Sequence, residues 1–177
     1  MTRIFTLGHS DRSLEDVLQL LRPHGVDVLV DVRRFPGSRK HPQWDQSEIR
    51  GALPANIDYI WIIELGGRRH TPAGIPSLNG AWRVKAFQDY ADHMATEEFA
   101  HGLRRLVDLS ERAQPAIMCS EAVPWRCHRR LIADALIVAG LEVEHIISRT
   151  STQPATFTQH AQLRDGQLTY PAQSDIR

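Results

Sequence analysis

No stretch of this chain is apolar for long enough to cross a bilayer, and strand-like Ile4-Phe5-Thr6-Leu7 stands where a signal peptide would show its pattern. A cytoplasmic protein without membrane contact is the expectation. Cysteine is scarce. Cys119 and Cys127 are the only two, which excludes a disulfide framework and reads as a pair of reduced thiols. Net charge is absent as well, with 21 Lys and Arg against 21 Asp and Glu, so bulk electrostatics give no case for nucleic-acid binding. The chain also lacks internal repeats and low-complexity tracts, which excludes solenoids. What remains is 177 residues, 42% hydrophobic and 24% charged, enough for one domain with a real core.

Charge is balanced overall but unevenly spread. Nine of the 21 Lys and Arg fall in three short segments: Arg33, Arg34, Arg39 and Lys40; Arg68 and Arg69; Arg126, Arg129 and Arg130. Gathered at one edge of a fold, they would make that edge positive and attract anionic ligands.

The hydrophobic period alternates between strand and helix. Arg3 to Leu7 reads as a strand stopped by Gly8-His9-Ser10. Ser13 with Asp16 then opens a helix whose Leu14, Val17, Leu18 and Leu21 share a face. Val26 to Val32 is a second strand, apolar enough to be covered on both faces, and a basic loop with Pro36, Gly37 and Pro42 follows it. A short helix over 47–53, a strand over 59–63 and an irregular stretch over 68–82 come next. Two helices, the second capped by Thr96, lead to a strand over Pro115 to Met118. A helix ended by Gly140 and a strand from Leu141 to Ile147 complete the series. The order predicts an α/β fold. It is a single Rossmann-like domain over 1–150 with a mostly parallel sheet of about five strands, preferred order 3-2-1-4-5, and helices on both faces. The extension 151–177 places Asp165-Gly166 between two alternating runs and is expected to form a C-terminal hairpin on the same domain.

In such a sheet, ligands bind beyond the carboxyl ends of the strands, where the strand order reverses. That rule gathers His9 and Ser10, Asp31 and Arg33, Glu64, and Cys119, Ser120 and Glu121 at one edge, with His9 beside the Cys119 loop. The stretch from Ala116 to Leu136 organises the rest: an apolar strand, a polar loop, and a helix whose first amides attract anions. Cys127, His128, Arg129 and Arg130 set cations at that helix start, against its dipole. A sequence that accepts this cost uses the charges. Acid/base chemistry by His9, Asp31 and Glu121 then needs no unusual geometry. The expected anion-binding groups are Ser10, Arg33, Ser38, Ser120, His128 and Arg129.

The thiols are expected to differ. Helix-start amides and neighbouring arginines should make Cys127 the reactive one, while Cys119, at a buried strand end, should stay a neutral thiol. Plainer roles exist for each group: His9 as a helix cap, Asp31 in an ion pair with Arg33, Cys127 packed under the loop. A zinc site from Cys119, Cys127 and His128 with His9 or His41 has acceptable ligand types, but Cys-x7-Cys-His is not a familiar zinc spacing, so no metal is expected. No cofactor is identified by these motifs.

Thr6-Leu7-Gly8-His9-Ser10, Asp31-Val32-Arg33, Pro36 with Ser38, Leu65-Gly66-Gly67 and Cys119-x-Glu121-x-x-Pro124-x-x-Cys127-His128-Arg129 resemble the bacterial and archaeal family called domain of unknown function 488. The resemblance extends over nearly the whole chain. It implies a compact Rossmann-like domain with these motifs at its site, and it leans towards nucleotide or nucleic-acid metabolism. Two other classes stay open. One is a non-catalytic module for an anionic small molecule or nucleic acid, with Trp44, Trp61, Trp82 and Trp125 as stacking groups. The other is a cysteine-based redox or metal protein.

Overall fold

In the computed structural model, which describes residues 2–173, strands and helices alternate as the hydrophobic period requires. They are β1 (Arg3–Gly8), α1 (Leu14–Leu21), β2 (Val28–Asp31), α2 (Gln46–Ala52), β3 (Asp58–Trp61), α3 (Lys85–His93), α4 (Glu97–Ser110), β4 (Pro115–Cys119), α5 (Arg129–Val138) and β5 (Glu142–Ile146). Local chemistry sets their limits. Ser13 and Asp16 close a capping box on α1, the Ser13 hydroxyl accepting from the Asp16 amide at 3.1 Å, and the Thr96 hydroxyl accepts from the Phe99 amide at the start of α4. Each such cap stabilises its helix by about 1 kcal/mol.

The five strands pair in parallel in the order β3-β2-β4-β1-β5, and β6 (Thr152–Pro154) adds antiparallel to the β5 edge. This corrects the expected order: β4, not β1, lies next to β2. The connection through α1 steps over two strand spacings, about 10 Å, instead of one. Whether a crossover skips a position is not written in the pattern of either strand it joins. The neighbourship of β1 and β4 survives the change, with Gly8 in register beside Cys119.

Both faces of the sheet are covered. On β1, Phe5 and Leu7 point to the layer of α1 and α2, with Leu29 and Met118, whereas Ile4 points to the layer of α4 and α5, with Val30, Ile117 and Val143. Fully burying each large aliphatic side chain stabilises the fold by about 1.5–3 kcal/mol. The chain leaves β1 and β2 over one face and leaves β3 and β4 over the other. A crevice therefore opens between the carboxyl ends of β1 and β4.

The C-terminal hairpin, β7 (Gln162–Arg164) and β8 (Gln167–Thr169), turns through Asp165 at φ 51° and Gly166 at φ 78°. Its exit is anchored at Tyr170, whose hydroxyl donates to Asp134 at 2.7 Å and whose amide donates to Asn79 at 2.9 Å. Because β6 joins the main sheet, the sheet continues past residue 150. No helix among the described residues is long and apolar enough to cross a membrane.

Candidate functional site

Backbone bonds carry the ladder beyond the strands and bring three loops together. The His9 amide donates to Cys119 O at 2.9 Å, the Ser10 amide to Ser120 O at 3.0 Å, and the Val32 amide to Met118 O at 3.0 Å. Two glycines allow the approach. A Cβ on Gly8 would lie 1.8 Å from the Glu121 carbonyl oxygen, and one on Gly67 would lie 2.9 Å from His128 Nδ1. Ser10 and Arg68, at φ 51° and 54°, hold left-handed backbone at the same place, which costs non-glycine residues about 1 kcal/mol or more.

The result is a cleft of about 730 Å³ at the β1/β4 crevice. Of the expected site residues, His9, Ser10, Arg33, Ser38, Cys119, Ser120, Glu121, Cys127 and His128 line it. Asp31 and Arg129 do not: each is buried beneath the lining and spent on internal partners. Lys40, His41, Arg34, Arg68 and Arg126 join the lining, so five Lys and Arg face two carboxylates, Asp11 and Glu121. Phe35, 62% exposed, stands at the rim. None of the four tryptophans is in the lining. Trp44 is buried and stacks on His9 at 4.5 Å, and Trp61 donates to Arg33 O at 2.8 Å, so these two support the site from below.

One wall is built on Asp31. Its carboxylate accepts Arg33 Nε at 3.0 Å, Arg33 Nη2 at 2.6 Å, the Arg33 amide at 2.9 Å and the Tyr59 hydroxyl at 2.6 Å. Arg33 is thereby fixed as a planar, bidentate pair, leaving Nη1 directed at His9 Nε2, 3.4 Å away. His9 Nδ1 lies 2.8 Å from Ser10 O, which requires its proton there and leaves Nε2 as an acceptor. Burial, reinforced by the Arg33 charge, pulls the His9 pKa down to about 4, so the ring is neutral at pH 7.

The other wall is built on Arg129. Its Nε lies 3.2 Å from Cys119 Sγ and 3.4 Å from Cys127 Sγ, Nη1 donates to Thr6 Oγ1 at 3.2 Å, and Nη2 donates to Glu121 O at 2.6 Å. Thr6 Oγ1 also lies 2.7 Å from His145 Nδ1, whose pKa burial lowers to about 4. The neutral ring accepts the threonine hydroxyl. His128 donates Nε2–H to Val32 O at 2.9 Å, which leaves Nδ1 as the nitrogen 3.6 Å from Cys127 Sγ. Burial pushes the Cys119 thiol well above the usual range. Burial works the same way on Cys127, but its contacts with Cys119, His128 and Arg129 overcome it and hold that thiol well below the ordinary value.

Donor atoms of Cys119, Cys127 and His128 lie within 4.8 Å of one another, the reach of a small metal ion. A guanidinium in contact with both sulfurs disfavours a divalent cation between them, because two positive charges about 4 Å apart repel strongly in a buried site. The donor set suits anionic sulfur better than a metal.

Several of these residues carried weak signals in the sequence. Thr6 is polar inside an apolar strand, and Lys40 and Arg68 belong to the basic segments, but Tyr59 is an ordinary strand position, and Trp44, read in the sequence as a stacking group for a ligand, stacks instead on His9. No curated protein and no solved structure matches the chain. The family model described as domain of unknown function DUF488 matches residues 13–136, from the capping box of α1 through Asp31, Arg33 and the Cys119 loop into α5. That match covers well over half of the sequence, and the chain belongs to this family.

Proposed function

We propose that the cleft is the active site of an enzyme acting on a phosphate-bearing substrate related to nucleotides, nucleosides or nucleic-acid ends, by acid/base chemistry. The observation that supports this most is the imbalance of the lining, with Arg33, Arg34, Lys40, Arg68 and Arg126 against Asp11 and Glu121 in a protein of zero net charge. Arg33, held flat by Asp31, offers the substrate a pre-oriented donor, and Ser10, Ser38 and Ser120 add hydroxyls around it. His9 Nε2 and the Glu121 carboxylate are the proton-transfer groups, with Asp31 acting on His9 only through Arg33. The exposed ring of Phe35 at the rim favours a substrate that carries a base to stack on it. Two reduced thiols suit a reducing compartment, in keeping with a cytoplasmic enzyme.

The test is calorimetric titration with inorganic phosphate and with nucleoside monophosphates at low and high salt. Binding should weaken with salt, and Lys40→Ala and Arg126→Ala, both at exposed positions, should each reduce affinity several-fold. Tighter binding of the nucleotide than of phosphate, lost in Phe35→Ala, supports base recognition. Absence of any phosphate binding at low salt would remove the reading.

A further inference from the structure

Arg129 is 1% exposed and always protonated, yet among the described residues no carboxylate pairs with it. A buried cation without a counter-charge costs several kcal/mol. Its remaining partners are a hydroxyl, two backbone carbonyls and two thiols, of which only the thiols can ionise. The contacts also decide which thiol does so. Cys119 Sγ lies 3.9 Å from Glu121 O, an acceptor that requires a proton on the sulfur. Cys127 Sγ faces two donors: the Arg129 amide at 3.5 Å, at the start of α5, which is its own, and Arg129 Nε at 3.4 Å, which it shares with Cys119 Sγ at 3.2 Å. His128 Nδ1 stands beside it, turned to it by the Nε2 bond to Val32 O and left room by the missing side chain of Gly67. Cys127 and His128 both line the cleft.

We infer that Cys127 is a thiolate nucleophile that attacks an electrophilic centre on an anionic substrate, with Arg129 as its buried counter-charge and His128 Nδ1 as its proton acceptor. This rests on the proposed reading only for the negative charge of the substrate. In the first half-reaction the Cys127 thiolate, whose proton rests on His128 Nδ1, forms a bond to the substrate centre, and the bond to the leaving group breaks as that group takes the proton from Nδ1. In the second, water attacks the same centre, gives one proton to Nδ1 and displaces the sulfur. Cys127 leaves as the thiolate, and no oxidant or reductant is consumed. Arg129 is a positioning residue here, since it touches sulfur and loop carbonyls but not the cleft.

The experiment is alkylation of the folded, unmodified protein with iodoacetate and with iodoacetamide across pH, with the labelled cysteine located by peptide mass mapping. The charged and titratable groups around the sulfur are Cys119 on β4, Tyr90 on α3, His145 on β5, and Arg126, His128 and Arg129. The expected result is fast labelling of Cys127 that stays nearly flat between about pH 6 and 8.5, where an ordinary thiol slows about tenfold per unit. Relative to glutathione, Cys127 should prefer anionic iodoacetate. Phosphate should slow the reaction. Labelling that follows ordinary thiol titration, that falls first on Cys119, or that requires unfolding by guanidinium would overturn the inference. Fast, flat labelling without protection by phosphate, in a protein that also fails to bind phosphate by calorimetry, would leave the nucleophile standing and remove the phosphate reading.

Discussion

The crevice between β1 and β4 is flanked by two buried guanidiniums that the fold treats in opposite ways. Arg33 is matched by a carboxylate on its own strand end, 2.6 Å away, and the pair is closed by Tyr59. Arg129 has no carboxylate among the described residues and rests on sulfur and carbonyl oxygen. A charge paired with a permanent anion is settled, and what it offers the cleft is a fixed donor. A charge paired with groups that ionise only when favoured transmits its demand to them, and what it offers is reactivity. On the proposed reading, the same element of chemistry builds a binding wall on one side and a nucleophilic wall on the other.

The largest effect should come from breaking the settled pair. Asp31→Asn removes the anion while Arg33 stays buried, which should cost about 3–5 kcal/mol in urea unfolding. A loss below about 1 kcal/mol would mean that Arg33 finds another partner and that the two walls are not so different.

Cys127→Ser tests the other wall by the same measurement. Serine keeps a hydrogen-bond acceptor for Arg129 but cannot ionise, so the cost should be about 2 kcal/mol at pH 8.5, smaller than that of Asp31→Asn. Its pH dependence carries the sign. The folded pKa of Cys127 is depressed, so its stabilisation is full above the unfolded value of about 8.5 and is lost as pH falls through the folded one. The gap between wild type and Cys127→Ser should therefore narrow on acidification. A gap independent of pH would make the thiol neutral throughout.

A smaller effect is expected at Gly67, where an added Cβ would press on His128 Nδ1. Gly67→Ala should cost about 1 kcal/mol as the ring shifts. It should also slow alkylation of Cys127 while leaving phosphate affinity on the Arg33 wall unchanged. Equal loss of both would show that the walls move as one.

How much of this was legible in the chain depends on the range of the interaction. The capping box of Ser13 and Asp16, the hairpin at Asp165-Gly166 and the strand ends carrying His9, Arg33 and Cys119 follow from spacing within a few residues. The position of β4 between β2 and β1 did not follow, because each strand is apolar enough to fit any central slot. Arg129 was expected in the cleft because cations cluster at the helix start, and only the fold shows that Thr6, 123 positions away in sequence, takes its guanidinium inward. β6 is illegible in the sequence for a plainer reason: Thr152-Gln153-Pro154 has no strand-like period and pairs only because the β5 edge is open to it.

The finest distinction between the walls lies in two neutral histidines. His9 accepts from Arg33 at the cleft surface, and His145, behind Arg129, accepts from Thr6; burial lowers both to about 4. For a base with a depressed folded pKa, the unfolded chain takes up the proton first, so each ring subtracts stability as pH falls from about 6.5 towards about 4. His9 lines the cleft and His145 does not. An anion bound beside Arg33 should offset the guanidinium charge and favour protonation of His9, raising its pKa by several tenths of a unit, while His145, screened by Arg129, stays where it is. Titration of the two ring resonances by NMR with and without phosphate reads this directly. Equal shifts of both would place the anion between the walls, and a shift of His145 alone would move the binding site away from Arg33 altogether.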